Sequence, residues 1–410
     1  MKKSIASLSA VICMAAALFP SGTSLTASAA EYSGDNYTIT YSTSGNEAAI
    51  TDFSGSASAL IIPETINGYS VTSISSEAFA DLDSITDVTI PDSVTSIGSK
   101  AFWNCSSLKT VAIGSGTAQI GDYAFSACPR LSSFSVSSAN SSYCAVGGML
   151  LSDDGTELVA YAGSSDAAVP EGVKTIGKGA FFGNTALGSV KLPSGLTSIG
   201  DYAFSGCFSL ESAAIPLTVK TLGKGAFLNC SVLTEVTIGA GVTEIPDECF
   251  SLCASLEAVT ISSSVTKIGS EAFFSCPLLE GIYIPGSVKS IGTDAVGSHY
   301  SIRGGVNIIY ENFYISGDNG SAAQKYAASN GLYFIDYADP PYGDVNADGA
   351  VNALDASEVL TEYASIAIGN QPSFNYYQTF AADYNCDGNT DALDASLILT
   401  EYANNATGQK

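Results

Sequence analysis

The sequence is short of histidine, tryptophan and positive charge: one His, one Trp and 15 Lys+Arg stand against 40 Asp+Glu in 410 residues. Each scarcity removes a class of function. A formal charge of −25 argues against nucleic acid and anionic membrane as partners, because both demand a basic surface. A single imidazole leaves no support for a Ser-His-Asp arrangement or a histidine-bearing metal centre. His299, alone in Gly297-Ser298-His299-Tyr300, reads as a turn residue. No apolar run reaches the roughly 20 residues that a spanning helix needs, so membrane insertion is not expected. Apolar residues, by contrast, make up 46% of the chain and glycine contributes 40 residues. The length predicts more than one domain and a substantial buried core.

Lys2 and Lys3 precede the apolar run 11–19, and Ala27-Ser28-Ala29 follows as a small-x-small cleavage signature. Residues 1–29 therefore read as a secretory signal peptide, which places the mature chain outside the cell. Its removal leaves 13 basic against 40 acidic residues.

A 23-residue period fills the middle of the chain. A phenylalanine recurs at Phe79, Phe102, Phe125, Phe181, Phe204, Phe227, Phe250 and Phe273, and degenerately at Val296, with one 33-residue insertion between Phe125 and Phe181. Leucine falls six places after it (Leu108, Leu131, Leu187, Leu210, Leu233, Leu256, Leu279), and an aliphatic eleven after it, as in Ile90, Ile113 and Ile238. A unit such as Leu108-x-x-Val111-x-Ile113 ends as a short alternating strand. One unit cannot bury its apolar side alone, so neighbours must stack into a solenoid. Gly98 is expected to permit a tight backbone corner. The pattern resembles the leucine-rich repeats of BspA-like bacterial proteins, which implies an α/β repeat solenoid. The expected organisation is an N-terminal cap over 30–58, the solenoid over 59–296 with its insertion near 138–168 as a projecting hairpin, and a C-terminal cap over 297–338. Ser321 is the expected N-cap of a small helix in that second cap.

Cys105, Cys128, Cys207, Cys230, Cys253 and Cys276 share one register, three places after the phenylalanine. Stacked coils lie near disulfide-compatible distance, but packed free thiols are favoured at a small buried corner. A zinc site is disfavoured, because no His accompanies them and Cys249 with Cys253 is a lone x3 pair. The outward strand positions are mostly small and polar (Thr89, Ala112, Ser135, Lys191, Thr237, Thr260) and lack a facing pair of acids, so no active site is expected there. Trp103, Phe182 and Phe274, each directly after the repeat phenylalanine, are the candidate ligand ridge, with rings lying over the coil edge as the plainer alternative.

After a Pro-containing linker at 339–343, a different motif occurs twice. Asp344, Asn346, Asp348, Ala350, Asn352 and Asp355 occupy places 1, 3, 5, 7, 9 and 12 of one loop; Asp383, Asn385, Asp387, Asn389, Asp391 and Asp394 occupy the same places 39 residues later. Oxygen donors at this spacing, with Gly349 or Gly388 at place 6 and a backbone carbonyl at place 7, suit calcium, two ions in all. Place 12 holds Asp rather than Glu, and one helix follows each loop. The duplicated loop-helix, 344–405, resembles the dockerin module of cellulosomal proteins, a small all-α calcium-binding domain. That resemblance implies docking onto a cohesin module of a scaffoldin. It carries partner recognition onto Ala353, Leu354, Leu360 and Thr361, and onto Ala392, Leu393, Leu399 and Thr400. Leu360 and Leu399 would alternatively serve as core. Because the two copies match, two binding orientations are expected.

The expected protein is secreted and non-catalytic, held at the cell surface or in a cellulosome through its dockerin, with repeats that bind a protein or surface ligand. The alternative is a carbohydrate-binding accessory of a polysaccharide-degrading complex.

Overall fold

The computed structural model describes residues 29–163, 166–301, 306–310, 313–336, 342–346, 350–374, 376–385 and 389–407. Residues 1–28 of the expected signal peptide and 339–341 of the linker lie outside them.

An antiparallel meander, Ala30–Ser33, Tyr37–Ser44 and Glu47–Gly55, starts the fold. Its third strand pairs in parallel with Tyr69–Ile74, which leads into the two-residue strands Ser96–Ile97 and Gln119–Ile120. A second row holds the longer strands, Asp87–Ile90, Thr110–Ile113 and Ser133–Val136, again in parallel. Both rows step by 23 residues, Asp87 opposite Thr110 and Ser96 opposite Gln119. Each coil is thus a long strand, a turn, a two-residue strand and a run of turns bearing the phenylalanine. No α-helix occurs among the described residues of the coils.

The repeat pattern accounts for the core directly. Phe79, Phe102, Phe181, Phe204, Phe227, Phe250 and Phe273 are at most 1% exposed. Their rings form near-parallel stacks with centroids 4.7–5.5 Å apart, close to the spacing of paired strands. Gly98 does not act through its torsion, since its φ is not positive. A Cβ there would stand 2.4 Å from the Ser76 nitrogen of the preceding coil, and at Gly223 2.3 Å from that of Asp201. This glycine row is needed for close approach of backbones rather than for a corner.

The insertion does not project. Tyr143–Val146, Met149–Ser152 and Glu157–Tyr161 form an antiparallel unit whose last strand pairs in parallel with Thr175–Ile176. Met149, Leu150, Leu151 and Leu158 are buried. On the phenylalanine side the coils flanking the insertion meet directly: the Ala127 amide donates to the Phe182 carbonyl at 2.9 Å. The extra residues are therefore wedged in on the strand side, where Met149–Ser152 is buried on both faces, Met149 and Leu151 in one core cluster and Leu150 in the other.

At the C-terminal end, Tyr314–Gly317 and Tyr333–Asp336 extend the long-strand row. Between them lies helix α1 (Ala322–Asn330), capped by Ser321, whose side chain accepts from the Gln324 amide, and closed by Gly331 at φ 66°. His299 is not in a turn. It lies in the strand Ser298–Ser301, paired with Val306–Ile309, and its ring stacks on Tyr310 at 4.4 Å. Three further helices follow: α2 (Ala353–Ala367), α3 (Tyr376–Ala382) and α4 (Ala392–Thr407).

Candidate cation loops and docking face

The two loops are built around their last acid. Asp355 is fully buried, and its Oδ1 accepts from the amides of Val345 (2.8 Å) and Asn346 (3.1 Å), folding the loop start over the helix start. Its Oδ2 accepts from the Asn352 amide at 2.9 Å, while the Asn352 side chain accepts from Leu354 N at 2.8 Å. This is a capping box: loop places 9 and 12 also satisfy free amides at the start of α2. The second loop repeats it. Asp394 is fully buried and accepts from the amides of Asn385 and Asp391, and Asp391 accepts from Leu393 N at 2.7 Å.

Asp344 is buried, Asn346, Asp383 and Asn385 are half-buried, and Ala350 and Asn389 are exposed. Asp348 and Asp387, the central carboxylates, lie outside the described residues. The donor set is all oxygen, and residues 339–407 contain no Lys, Arg or His. Two fully buried carboxylates in a segment without its own cations fit a bound hard cation, since buried charge requires compensation. Asp344, Asp355, Asp383 and Asp394 are the residues that would hold it, together with the asparagine oxygens and the place-7 carbonyls.

The helices following the loops bury one face and leave the other open. Val345, Ala356, Val359, Ala381, Ala382, Ala395 and Ile398 form the core, joined by Ile335 of the last cap strand. The eight expected recognition residues all lie outside it: Ala353, Thr361, Ala392 and Thr400 are exposed, and Leu354, Leu393, Leu360 and Leu399 are 64, 54, 43 and 41% exposed. Leu360 and Leu399 are therefore surface residues. Tyr363 and Tyr402, outside the expected recognition residues, are exposed to a matching degree, 43 and 44%. The signal for them was the 39-residue repeat itself, which sets the same ring at the same helical place. One acid shared by the copies has different surroundings in each. Glu362 is buried, and burial alone would raise it. Hydrogen bonds from the Ser373 hydroxyl and amide and the Phe374 amide outweigh this and hold it below the usual range. Its counterpart Glu401 instead accepts from Asn405.

The candidate ridge is not a continuous row. Trp103 and Phe182 are half-buried and pack on each other at 4.7 Å across the small Ser126, with Tyr123 edge-on to both. Phe274 is buried in a distant coil. The described cysteines are unpaired thiols.

The family model of the BspA type Leucine rich repeat region matches residues 54–145 and 174–303 in six copies, and that of the Dockerin type I domain matches 342–401. No curated protein matches the chain. Among solved structures, it is similar to a leucine-rich repeat protein from Eubacterium ventriosum, with 26% identity and a TM-score of 0.47 over 55% of this chain and 68% of that one. It is also similar to a leucine rich cell surface protein from Faecalibacterium prausnitzii, with 22% identity and a TM-score of 0.33 over 65% and 95% of the two chains. Stacked phenylalanine coils followed by a duplicated loop-helix thus have their names: the chain belongs to the BspA-type leucine-rich repeat family and carries a C-terminal dockerin type I domain.

Proposed function

We propose that this is an extracellular, non-catalytic interaction protein. Its dockerin docks onto a cohesin of a scaffoldin when both loops hold calcium, and its repeats present a protein-binding surface on that scaffold. Dockerin type I domains are calcium-binding and imply a cohesin partner, and leucine-rich repeats imply protein interaction. One observation carries the finer reading: the duplicated helices expose matched apolar residues, Leu354 with Leu393, Leu360 with Leu399 and Tyr363 with Tyr402, and bury matched ones, Ala356 with Ala395 and Val359 with Ile398. A surface that repeats itself about a short module suits one partner held in either of two orientations. A carbohydrate-binding role finds less support, because Trp103 and Phe182 are half-buried and pack on each other and on Tyr123, with the Lys100 ammonium 5.4 Å over the Trp103 ring.

Titration of the full mature chain against a panel of cohesin modules tests this. Tight binding is expected with calcium and none with chelator. Leu354→Asp or Leu393→Asp alone should leave binding largely intact, and the double substitution should abolish it. Loss of binding in either single variant would remove the two-orientation reading. Failure of every cohesin would remove the docking itself.

A further inference from the structure

The turn that leads into each long strand changes character along the solenoid. Two to five places after the repeat phenylalanine, the early coils carry Asp81, Asn104, Ser106 and Ser107. The last four carry one exposed apolar residue each: Phe208, Val232, Leu252 and Leu278, at 43, 36, 42 and 48% exposure. The places four and five after the phenylalanine are stacked coil on coil, since the Ser231 hydroxyl donates to the Phe208 carbonyl at 3.3 Å and the Ser255 amide to the Ser231 carbonyl at 3.0 Å. Leu252 stands two places after the phenylalanine, and its amide donates to the Phe274 carbonyl at 2.7 Å. Leu252 is doubly out of place. Its φ is +61°, at a register where neighbouring coils use Gly206 or Asn229, and an L side chain is disfavoured there.

Beside this ridge, seven or eight places after the phenylalanine, stands a second row: Glu211, Glu235, Glu257 and Glu280, one per coil and all exposed. None forms an ion pair with a described cation, whereas Glu244 and Glu248 elsewhere on these coils pair with Lys267 and Lys224. Residues 206–215, 229–238, 252–261 and 275–284, which hold both rows, contain no Lys, Arg or His. Four coils at about 4.8 Å make a stripe about 15 Å long, near the length of three helical turns at 5.4 Å.

From the paired rows we infer that this corner is the docking surface of the repeats for a basic amphipathic helix of a partner protein. The helix lays an apolar stripe on Phe208, Val232, Leu252 and Leu278 and sets lysines or arginines against the four glutamates. Charge complementarity selects this occupant over a neutral or acidic one. The inference deepens the reading of the repeats as protein-binding and is independent of the dockerin.

The test uses the full mature chain with calcium, at physiological salt, and a fluorescent, helix-stapled peptide of Leu and Lys about three turns long. Wild type is expected to bind it. Phe208→Ser, Val232→Ser, Leu252→Asn and Leu278→Ser together leave the net charge unchanged and should weaken binding about tenfold or more. Changing the four glutamates to Gln should do the same. Changing Glu64, Glu77, Asp81 and Asp83 to amides removes as much charge from the other end and should leave binding unaltered. An absent wild-type signal overturns the inference. So does an apolar variant that binds like wild type, or equal losses from the two sets of acids, since attraction would then come from bulk charge. An unchanged main thermal transition of the solenoid confirms that each variant is folded. A cohesin titration on the same samples separates failure of this surface from failure of the docking reading.

Discussion

Every cysteine of the repeat register answers the same carbonyl of the coil before it. The thiols of Cys105, Cys128, Cys207, Cys230, Cys253 and Cys276 donate to the carbonyl of the phenylalanine 26 residues earlier, at 3.1–3.3 Å. Where the register holds Asn184, its side-chain amide donates to the Gly163 carbonyl instead, at 2.7 Å. The place therefore asks for a small group that donates a hydrogen bond, and the thiol does so without burying a strongly hydrated atom. Burial pushes Cys207 and Cys276 up to about 12, so neither forms appreciable thiolate at neutral pH. The native chain is expected to leave its buried thiols unmodified by a disulfide reagent at pH 8 and to expose them on denaturation; rapid modification without unfolding would contradict this. Cys230→Ala removes the donor to Phe204 and leaves a void, with an expected loss of about 1–3 kcal/mol in denaturant unfolding.

Between neighbouring coils, rings and glycines interlock. Tyr123 and Tyr202, two places before the phenylalanine, lie over Gly179 and Gly225 at the same place one coil on. A Cβ would stand 2.2 Å from the Tyr123 ring at Gly179 and 2.4 Å from the Tyr202 ring at Gly225, and both glycines have positive φ. Gly225→Ala should therefore destabilise the solenoid by about 1–3 kcal/mol. Adding Tyr202→Ala should recover part of that loss, giving a double variant less damaged than the sum of the singles. Strict additivity in a double-mutant cycle would refute the interlock. The repeat unit was legible from spacing alone, because a buried stack demands the same residue type in every coil. What Tyr123 covers was not, because the next coil begins beyond the insertion and its glycine lies 56 residues away. For the same reason the insertion near 138–168 read as a projecting hairpin: an apolar run such as Met149-Leu150-Leu151 shows that it is buried, not which neighbours bury it. The loops were legible because their donors are contiguous. The service of Asn352 and Asp355 as a capping box was hidden behind their reading as ligands.

Across the whole molecule, charge and helix are distributed unevenly, and this makes the two parts separable by experiment. The solenoid is held by stacked rings and strands and mixes both signs of charge. Lys178 sits 3.5 Å from Asp122 and 3.4 Å from Asp201, bridging three coils, although such exposed pairs stabilise little. The dockerin has buried carboxylates, a small core and no Lys, Arg or His between 339 and 407. Its folding should depend on the cation, because a site that exists only in the folded state converts binding free energy into stability. Among the described residues most α-helix lies in α2, α3 and α4, with only the nine residues of α1 elsewhere. The helical circular dichroism signal therefore reports the dockerin almost alone. Chelation of the full chain should remove most of the helical part of the far-ultraviolet signal while the main thermal transition of the solenoid stays in place, and added calcium should restore it. Asp355→Ala and Asp394→Ala should each reproduce about half of the loss in the presence of calcium. An unchanged helical signal after chelation would show that the buried acids are stable without a cation, and the calcium reading of both loops would fall.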